Sequence, residues 1–188
     1  EELKKKYLPR IASGEKLAAF ALTESNAGSD AGGIQTRAVR DGDHYVLNGT
    51  KQWITNAEVA GFYSIIALTD PSRGPRGASF FVVEKGDPGF GFGKKEKKMG
   101  IRSSPTGELI MNDCRIPADR LIGKEGQGFI AAMKTFDCSR PGVGAQALGL
   151  AQGALEAAVD FARTRVQFGH PIMSIQAVQH ILADMATL

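Results

Sequence analysis

Apolar residues along the first two-thirds of the chain come in short or alternating runs cut by Gly, Pro, Asp and Asn. That is the pattern of strands and tight turns. Six runs stand out, at residues 17–23, 34–40, 44–54, 62–69, 78–84 and 108–112. The pair flanking Asp41-Gly42-Asp43 predicts a hairpin, because Gly42 supplies the positive φ that a tight turn requires. Strands this frequent, without helices between them, predict an antiparallel barrel or sandwich. After Gly128 the turn residues thin out, and Val143, Ala147, Leu150, Ala151, Ala154, Ala158, Phe161 and Ala162 recur at three-and-four spacing. Residues 129–165 therefore predict a long helix with one buried face, with Pro141 deleting one of its backbone hydrogen bonds. A second helix is predicted from near Ser174, a candidate cap, to Leu188. Two helices cannot bury a stripe this long by themselves, so something further is expected to cover it. At the amino terminus, residues 1–6 read as the tail of a helix ended by Pro9 and Ser13-Gly14.

The fold class read from this pattern is α+β: an antiparallel β-domain followed by the first two helices of a bundle. The expected divisions are residues 1–16 as a connector, 17–125 as the β-domain and 126–188 as a partial helical domain. No internal repeat is visible.

Composition narrows the function classes. Charged residues are 23% and hydrophobic ones 43% of 188, an ordinary globular balance. A net charge of +3 is too small to argue for nucleic acid. The one dense basic run, Lys94, Lys95, Lys97 and Lys98 around Glu96, reads as a solvated face, with attraction of a phosphorylated ligand as the other reading. Cys114 and Cys138 lie far apart without flanking histidines at ligand spacing, and His44, His170 and His180 form no H-E-x-x-H, so no metal is expected. Two reduced thiols suit a bacterial cytoplasm or a mitochondrial matrix. No apolar run approaches the roughly 20 residues of a membrane helix. The segment 126–131 fits G-x-G-x-x-G/A, but no βαβ unit follows it, and Gly89 to Lys94 lacks Walker spacing.

Two segments carry the chemistry. Phe20-Ala21-Leu22-Thr23-Glu24-Ser25-Asn26-Ala27-Gly28-Ser29-Asp30 is a strand running into a loop of small and polar residues. Such a loop is either an ordinary turn or a wrap for an anion or a heterocycle's polar edge. The second segment, Trp53-Ile54-Thr55-Asn56, holds the only tryptophan, a residue type more often found in a core. The two together resemble the acyl-CoA dehydrogenase family. So do Lys98-Met99-Gly100-Ile101-Arg102-Ser103-Ser104, Asp113-Cys114-Arg115-Ile116-Pro117, Gly126-Gln127-Gly128-Phe129, the run Ala145 to Leu155, and Arg165-Val166-Gln167-Phe168-Gly169, all in the family's order.

The resemblance implies an FAD-dependent oxidoreductase of fatty-acid β-oxidation, leaning to the short-chain, butyryl type. Such an enzyme converts a fatty acyl-CoA to the trans-2-enoyl-CoA and passes electrons to an electron-transferring flavoprotein. It implies flavin contacts at Phe20, Leu22, Thr23, Gly28 and Ser29 and at Trp53, Ile54 and Thr55. Arg165, Phe168 and Gln176 would reach the FAD of a neighbouring subunit in a homodimer or homotetramer. Ser29, Asp137 and Arg140 would touch the acyl-CoA. The sequence departs from the family at Ser25-Asn26, where many members carry Pro-Gly; Asn tolerates a left-handed backbone, so the loop is expected to survive.

No catalytic base is identifiable. One branch of the family places its glutamate where this chain has Ser139, and the other near the carboxy-terminal end of the bundle, which would fall beyond Leu188. The expectation is a fragment that also lacks the family's amino-terminal helical domain. Two other readings stay open: a flavin oxidase or monooxygenase of the same fold, and a non-catalytic structural module.

Overall fold

The computed structural model describes every residue from Glu1 to Leu188, and the chain divides into two compact units, Glu1–Met133 and Lys134–Leu188. The first opens with helix α1 (Glu2–Ala12), which continues through Pro9 instead of ending there. Proline removes one amide donor, but the turn beyond still closes, the Ser13 amide donating to the Pro9 carbonyl at 2.9 Å. The chain turns away at Gly14, whose φ is 76°.

Eight strands follow: β1 (Ala18–Ala21), β2 (Arg37–Asp41), β3 (His44–Thr55), β4 (Phe62–Leu68), β5 (Ala78–Glu84), β6 (Phe90–Lys95), β7 (Thr106–Pro117) and β8 (Leu121–Ile122). They form one sheet in the order β6-β7-β3-β2-β4-β5-β8, with β1 paired to β4. The expected hairpin is present, Asp41 facing His44 across a turn in which Gly42 has φ 61°. Two pairings are parallel, β1 with β4 and β2 with β4 at Arg37–Leu68. Between β1 and β4 lies the whole β2–β3 hairpin, long enough for the crossover that parallel strands need. The order has two ends, so of the barrel and the sandwich it is the barrel that does not close. Instead the sheet folds over its own core, bringing the Tyr63 ring of β4 to 4.7 Å from Phe90 of β6.

Strand β6 escapes the sequence pattern because Gly91 and Gly93 alternate with Phe90 and Phe92 and so read as turn. Gly93 packs closely under Glu108: a Cβ there would sit 2.4 Å from its carboxylate, which would have to move aside. Inside the fold-over, Tyr45, Leu47, Tyr63, Ile65, Phe81, Val83, Leu109 and Ile116 are fully buried. Cys114 belongs to this core, and burial, reinforced by Asp87, pushes its thiol up to about 12. Cys138 is exposed. A thiol reagent at neutral pH is therefore expected to label one cysteine per native chain and two in denaturant, counted by intact mass.

The segment leading to helix α2 (Gly128–Thr164) is pinned to the sheet. The Tyr45 hydroxyl donates to Glu125, and the Gly126 amide donates to Ser79 Oγ at 2.9 Å. At Gly128 a Cβ would lie 2.5 Å from the Ser79 carbonyl carbon, so only glycine permits this approach.

In the second unit α2 runs on through Pro141 and is followed by a small hairpin, β9 (Val166–Gln167) with β10 (His170–Pro171), and helix α3 (Gln176–Thr187). The N-cap of α3 is Ile175, without a side-chain cap. Ser174 does not cap it, because its hydroxyl donates to the Pro171 carbonyl at 2.7 Å, inside the preceding 3₁₀ turn. The α2 stripe predicted to be buried is largely open: Val143, Leu150 and Phe161 are exposed, and of the stripe only Ala162 is buried. Two helices leave such a face uncovered, as its length implies. No helix is long and apolar enough to cross a membrane.

Candidate functional site

Strand β1 and its following turn lie alongside the last residues of β3 and Asn56 beyond it, tied at three points. The Asn56 side-chain amide donates to the Ala18 carbonyl at 3.3 Å, the Gln52 amide to the Thr23 carbonyl at 2.9 Å, and the Lys51 ammonium to the Leu22 carbonyl at 2.9 Å. The two segments singled out in the sequence are thus neighbours along one exposed edge of the first unit.

Trp53 faces outward because of a β-bulge. Along β3, Tyr45, Leu47 and Lys51 are buried at alternate positions, and strict alternation would turn Trp53 inward as well. Against β7, however, Lys51 pairs with Leu109 and Ile54 with Gly107, so Gln52 and Trp53 together oppose the single residue Glu108. The extra residue flips the phase. Ile54 enters the core at 3% exposure, and Trp53 emerges at 55% with a left-handed φ of 55°. Glu108 braces the bulge, accepting from the Gln52 side chain at 3.2 Å and from the Lys94 amide at 3.0 Å.

The loop after β1 is equally specific. Glu24 and Ala27 exchange both backbone hydrogen bonds at 3.1 Å around Ser25-Asn26. This two-residue turn forms without a left-handed residue at Asn26, so the tolerance for which asparagine was expected to matter is not used. Gly28 and Ser29 are exposed, and a Cβ at Gly28 would meet nothing within 4 Å.

Beneath the edge lies a buried ion pair that the sequence reading missed. Lys51 reaches Glu24 at 2.7 Å, with side-chain exposures of 0% and 9%. The Glu24 carboxylate also accepts the Gln35 amide at 2.7 Å and the Thr36 amide at 3.1 Å. Burial alone would raise the Glu24 carboxyl, but the Lys51 charge, its hydrogen bond and the two loop amides outweigh it and hold the group below 4.5. Burial takes Lys51 down to about 8, with Glu24 restoring part of the loss. The ammonium is disfavoured because Lys51 is the more deeply buried partner, while the carboxylate gains two amide donors besides Lys51; at neutral pH both groups are charged. A signal was present in the sequence: Lys51 is in phase with Tyr45 and Leu47 on a strand.

The predicted residues fall into distinct environments. Thr23 is half-buried, Thr55 is exposed opposite Thr106, and neither hydroxyl is engaged by another group of the chain. The Leu22 and Ile54 side chains lie in the interior, so any contact they make with a ligand passes through backbone. The Phe20 ring stands edge-on to Phe80, centroids 6.0 Å apart. In the second unit Asp137 and Arg140 are exposed on α2, the Arg140 guanidinium 5.7 Å over the Phe136 ring. Ser139 donates to the Phe136 carbonyl at 3.3 Å. Phe168, 88% exposed, and Gly169 carry φ of 52° and 80° at the tip of the β9–β10 hairpin; Arg165 precedes the hairpin and Gln176 opens α3, both exposed. Lys95, Lys97 and Lys98 of the basic run line a cleft with Arg102 and Pro105, whose carbonyl accepts the Asn56 amide at 2.8 Å.

Comparison with known families decides the assignment. The model for the acyl-CoA dehydrogenase middle domain matches residues 19–114, and that for the acyl-CoA dehydrogenase C-terminal domain matches 126–188. The chain belongs to the acyl-CoA dehydrogenase family. It is similar to the probable acyl-CoA dehydrogenase FadE25 of Mycobacterium tuberculosis, at 54% identity over 99% of this chain and 48% of the relative. The solved butyryl-CoA dehydrogenase of Megasphaera elsdenii superposes with a TM-score of 0.93 at 49% identity, over 97% of this chain and 48% of that one. A chain in a structure described as the electron transferring flavoprotein of Acidaminococcus fermentans superposes with a TM-score of 0.95 at 54% identity, over 99% of this chain and 49% of that one. This acyl-CoA dehydrogenase family chain spans about half the length of the curated relatives it matches.

Proposed function

We propose that the chain supplies the flavin edge, and part of the acyl-CoA contacts, of an FAD-dependent acyl-CoA dehydrogenase. Its substrate would be a short fatty acyl-CoA, its product the trans-2-enoyl-CoA and its electron acceptor an electron-transferring flavoprotein. The observation that carries this reading is the Gln52–Thr23 backbone hydrogen bond, which brings Thr23 beside the strand end that holds the exposed Trp53 and Thr55, with both threonine hydroxyls uncommitted. Similarity to butyryl-CoA dehydrogenase supports the short chain, and similarity to the structure described as an electron transferring flavoprotein supports the acceptor.

The residues present fit a flavin. A flat, apolar indole packs well beside a tricyclic ring, a threonine hydroxyl serves as donor or acceptor to the ring's polar rim, and open space at Gly28 admits a ligand close to backbone. FAD, when bound, would supply the hydride acceptor for the substrate's β-carbon. The chain's part is to hold the ring and exclude water through Trp53, with Ser29 near the pyrophosphate or the thioester. Arg165 suits a neighbouring subunit's pyrophosphate because its fork binds phosphate oxygens bidentately, and Phe168 and Gln176 lie on the same exposed hairpin–helix segment; this makes a homodimer or homotetramer part of the proposal. Asp137 and Arg140 share a helical face for the acyl-CoA.

In the flavoprotein purified from its native source, as distinct from the 188-residue polypeptide expressed alone, anaerobic butyryl-CoA is expected to bleach the visible flavin band, and electron-transferring flavoprotein to restore it. Bleaching reversed by oxygen, with stoichiometric oxygen uptake, would assign an oxidase instead. Absence of flavin from the isolated protein would leave a structural module.

A further inference from the structure

A buried ion pair is a poor source of stability. Desolvating two charges costs about as much as their attraction returns, and apolar residues of the same volume commonly do as well. Its position is therefore the informative feature. Lys51, with no exposed side-chain surface, spends two hydrogen bonds on the turn that follows β1, one to the Leu22 carbonyl and one to Glu24. Glu24 in turn gathers the Gln35 and Thr36 amides from the far end of the same loop. Between these anchors the Thr23 carbonyl meets the Gln52 amide, one residue before Trp53.

Close approach of β3 to the loop is also built in. At Gly49, φ 146°, a Cβ would lie 2.6 Å from Thr36 Oγ1, so only glycine lets the strand come near enough for Lys51 to reach Glu24. Both ends of the loop and the bulged strand are thus held by one ammonium–carboxylate contact, none of whose atoms faces the exposed edge.

We propose that Lys51 is a positioning residue for flavin binding, its ammonium fixing the Leu22–Glu24 turn against the strand that presents Trp53. The inference rests on the flavin reading above and adds what keeps the two segments in register. The pair acts through the Thr23 backbone and the bulge, and so on the affinity and asymmetry of the flavin site. Sites of this kind depend on groups behind the contacting shell to hold their geometry.

The test uses the isolated flavoprotein, stripped and retitrated with FAD, as K51M, as the charge-free pair E24Q/K51M, and as R120M. The last removes a comparably buried ion pair, Arg120 with Asp87 at 2.6 Å, placed near Glu84 toward the opposite end of β1. K51M and the double variant are expected to lose about tenfold or more in FAD affinity and to reduce the visible circular dichroism of the bound flavin, with R120M within about twofold of the parent. If K51M does not fold, the double variant, which leaves no unpaired charge, decides alone. A double variant within about twofold of the parent overturns the inference, as does an equal loss in R120M, which would make the effect one of general destabilisation. These outcomes leave the flavin reading intact, whereas a parent protein that takes up no FAD overturns that reading itself.

Discussion

Replacing Glu24 by glutamine is expected to lower the unfolding free energy by about 3–5 kcal/mol, the usual effect of removing one partner from a buried ion pair. The loss is large because Lys51 has no exposed surface through which water could solvate its charge, and the amide offers it only a neutral oxygen. Against a typical total of about 5–15 kcal/mol, such a variant would stand near the margin of folding. Chemical denaturation, read by the fluorescence of the single tryptophan, measures it. The pH dependence follows from the same contact. The folded carboxyl titrates below its ordinary value of 4.5, so its stabilisation is complete above that value and is lost as the pH falls through the lower folded one. E24Q lacks that contribution already and should lose less stability on acidification. A variant as stable as the parent, with the same acid profile, would mean that the pair is not closed in solution.

Turnover should show the second large effect. Supplied with FAD and butyryl-CoA, the 188-residue polypeptide is expected to reduce bound flavin slower by on the order of 10²–10⁴ than an enzyme with a positioned base. Two positions decide this. Glu24, the buried carboxylate of the loop after β1, is committed to Lys51 and two amides and held ionised beneath the edge. Ser139, where one branch of the family carries its glutamate, offers only a hydroxyl already directed at the Phe136 carbonyl. Stopped-flow bleaching of the visible band measures the rate, and rapid bleaching would show that another group of these 188 residues serves as base.

The outline of the fold was legible because its strands alternate and its turns carry glycine: residues 44–54 and 78–84 were read almost to the residue. What failed to show had physical reasons. Phe90 to Lys95 hid behind Gly91 and Gly93, of which only Gly93 lies against the Glu108 side chain. Pro9 and Ser174 have the residue types of helix ends, but tertiary packing and a local turn placed them otherwise.

At the candidate site, the motif singled out two segments that the structure brings side by side, while the usual burial of tryptophan gave Trp53 to the core. Its exposure depends on a bulge, a two-against-one mismatch between β3 and β7 that a single strand's sequence does not record. The Lys51–Glu24 pair was hidden for a related reason. The strand phase of Lys51 hints at burial but names no partner, and only the packing of the loop after β1 beside β3 puts the two charges in contact.

Hydrogen exchange with and without FAD tests the central claim most directly. If the loop after β1 and the bulged end of β3 form one flavin-facing edge, FAD should slow exchange at residues 23–29 and 52–56 together, with the β2–β3 turn at Gly42, at the other end of β3, unchanged. Protection of only one of the two segments, or of neither while FAD is demonstrably bound, would contradict the account.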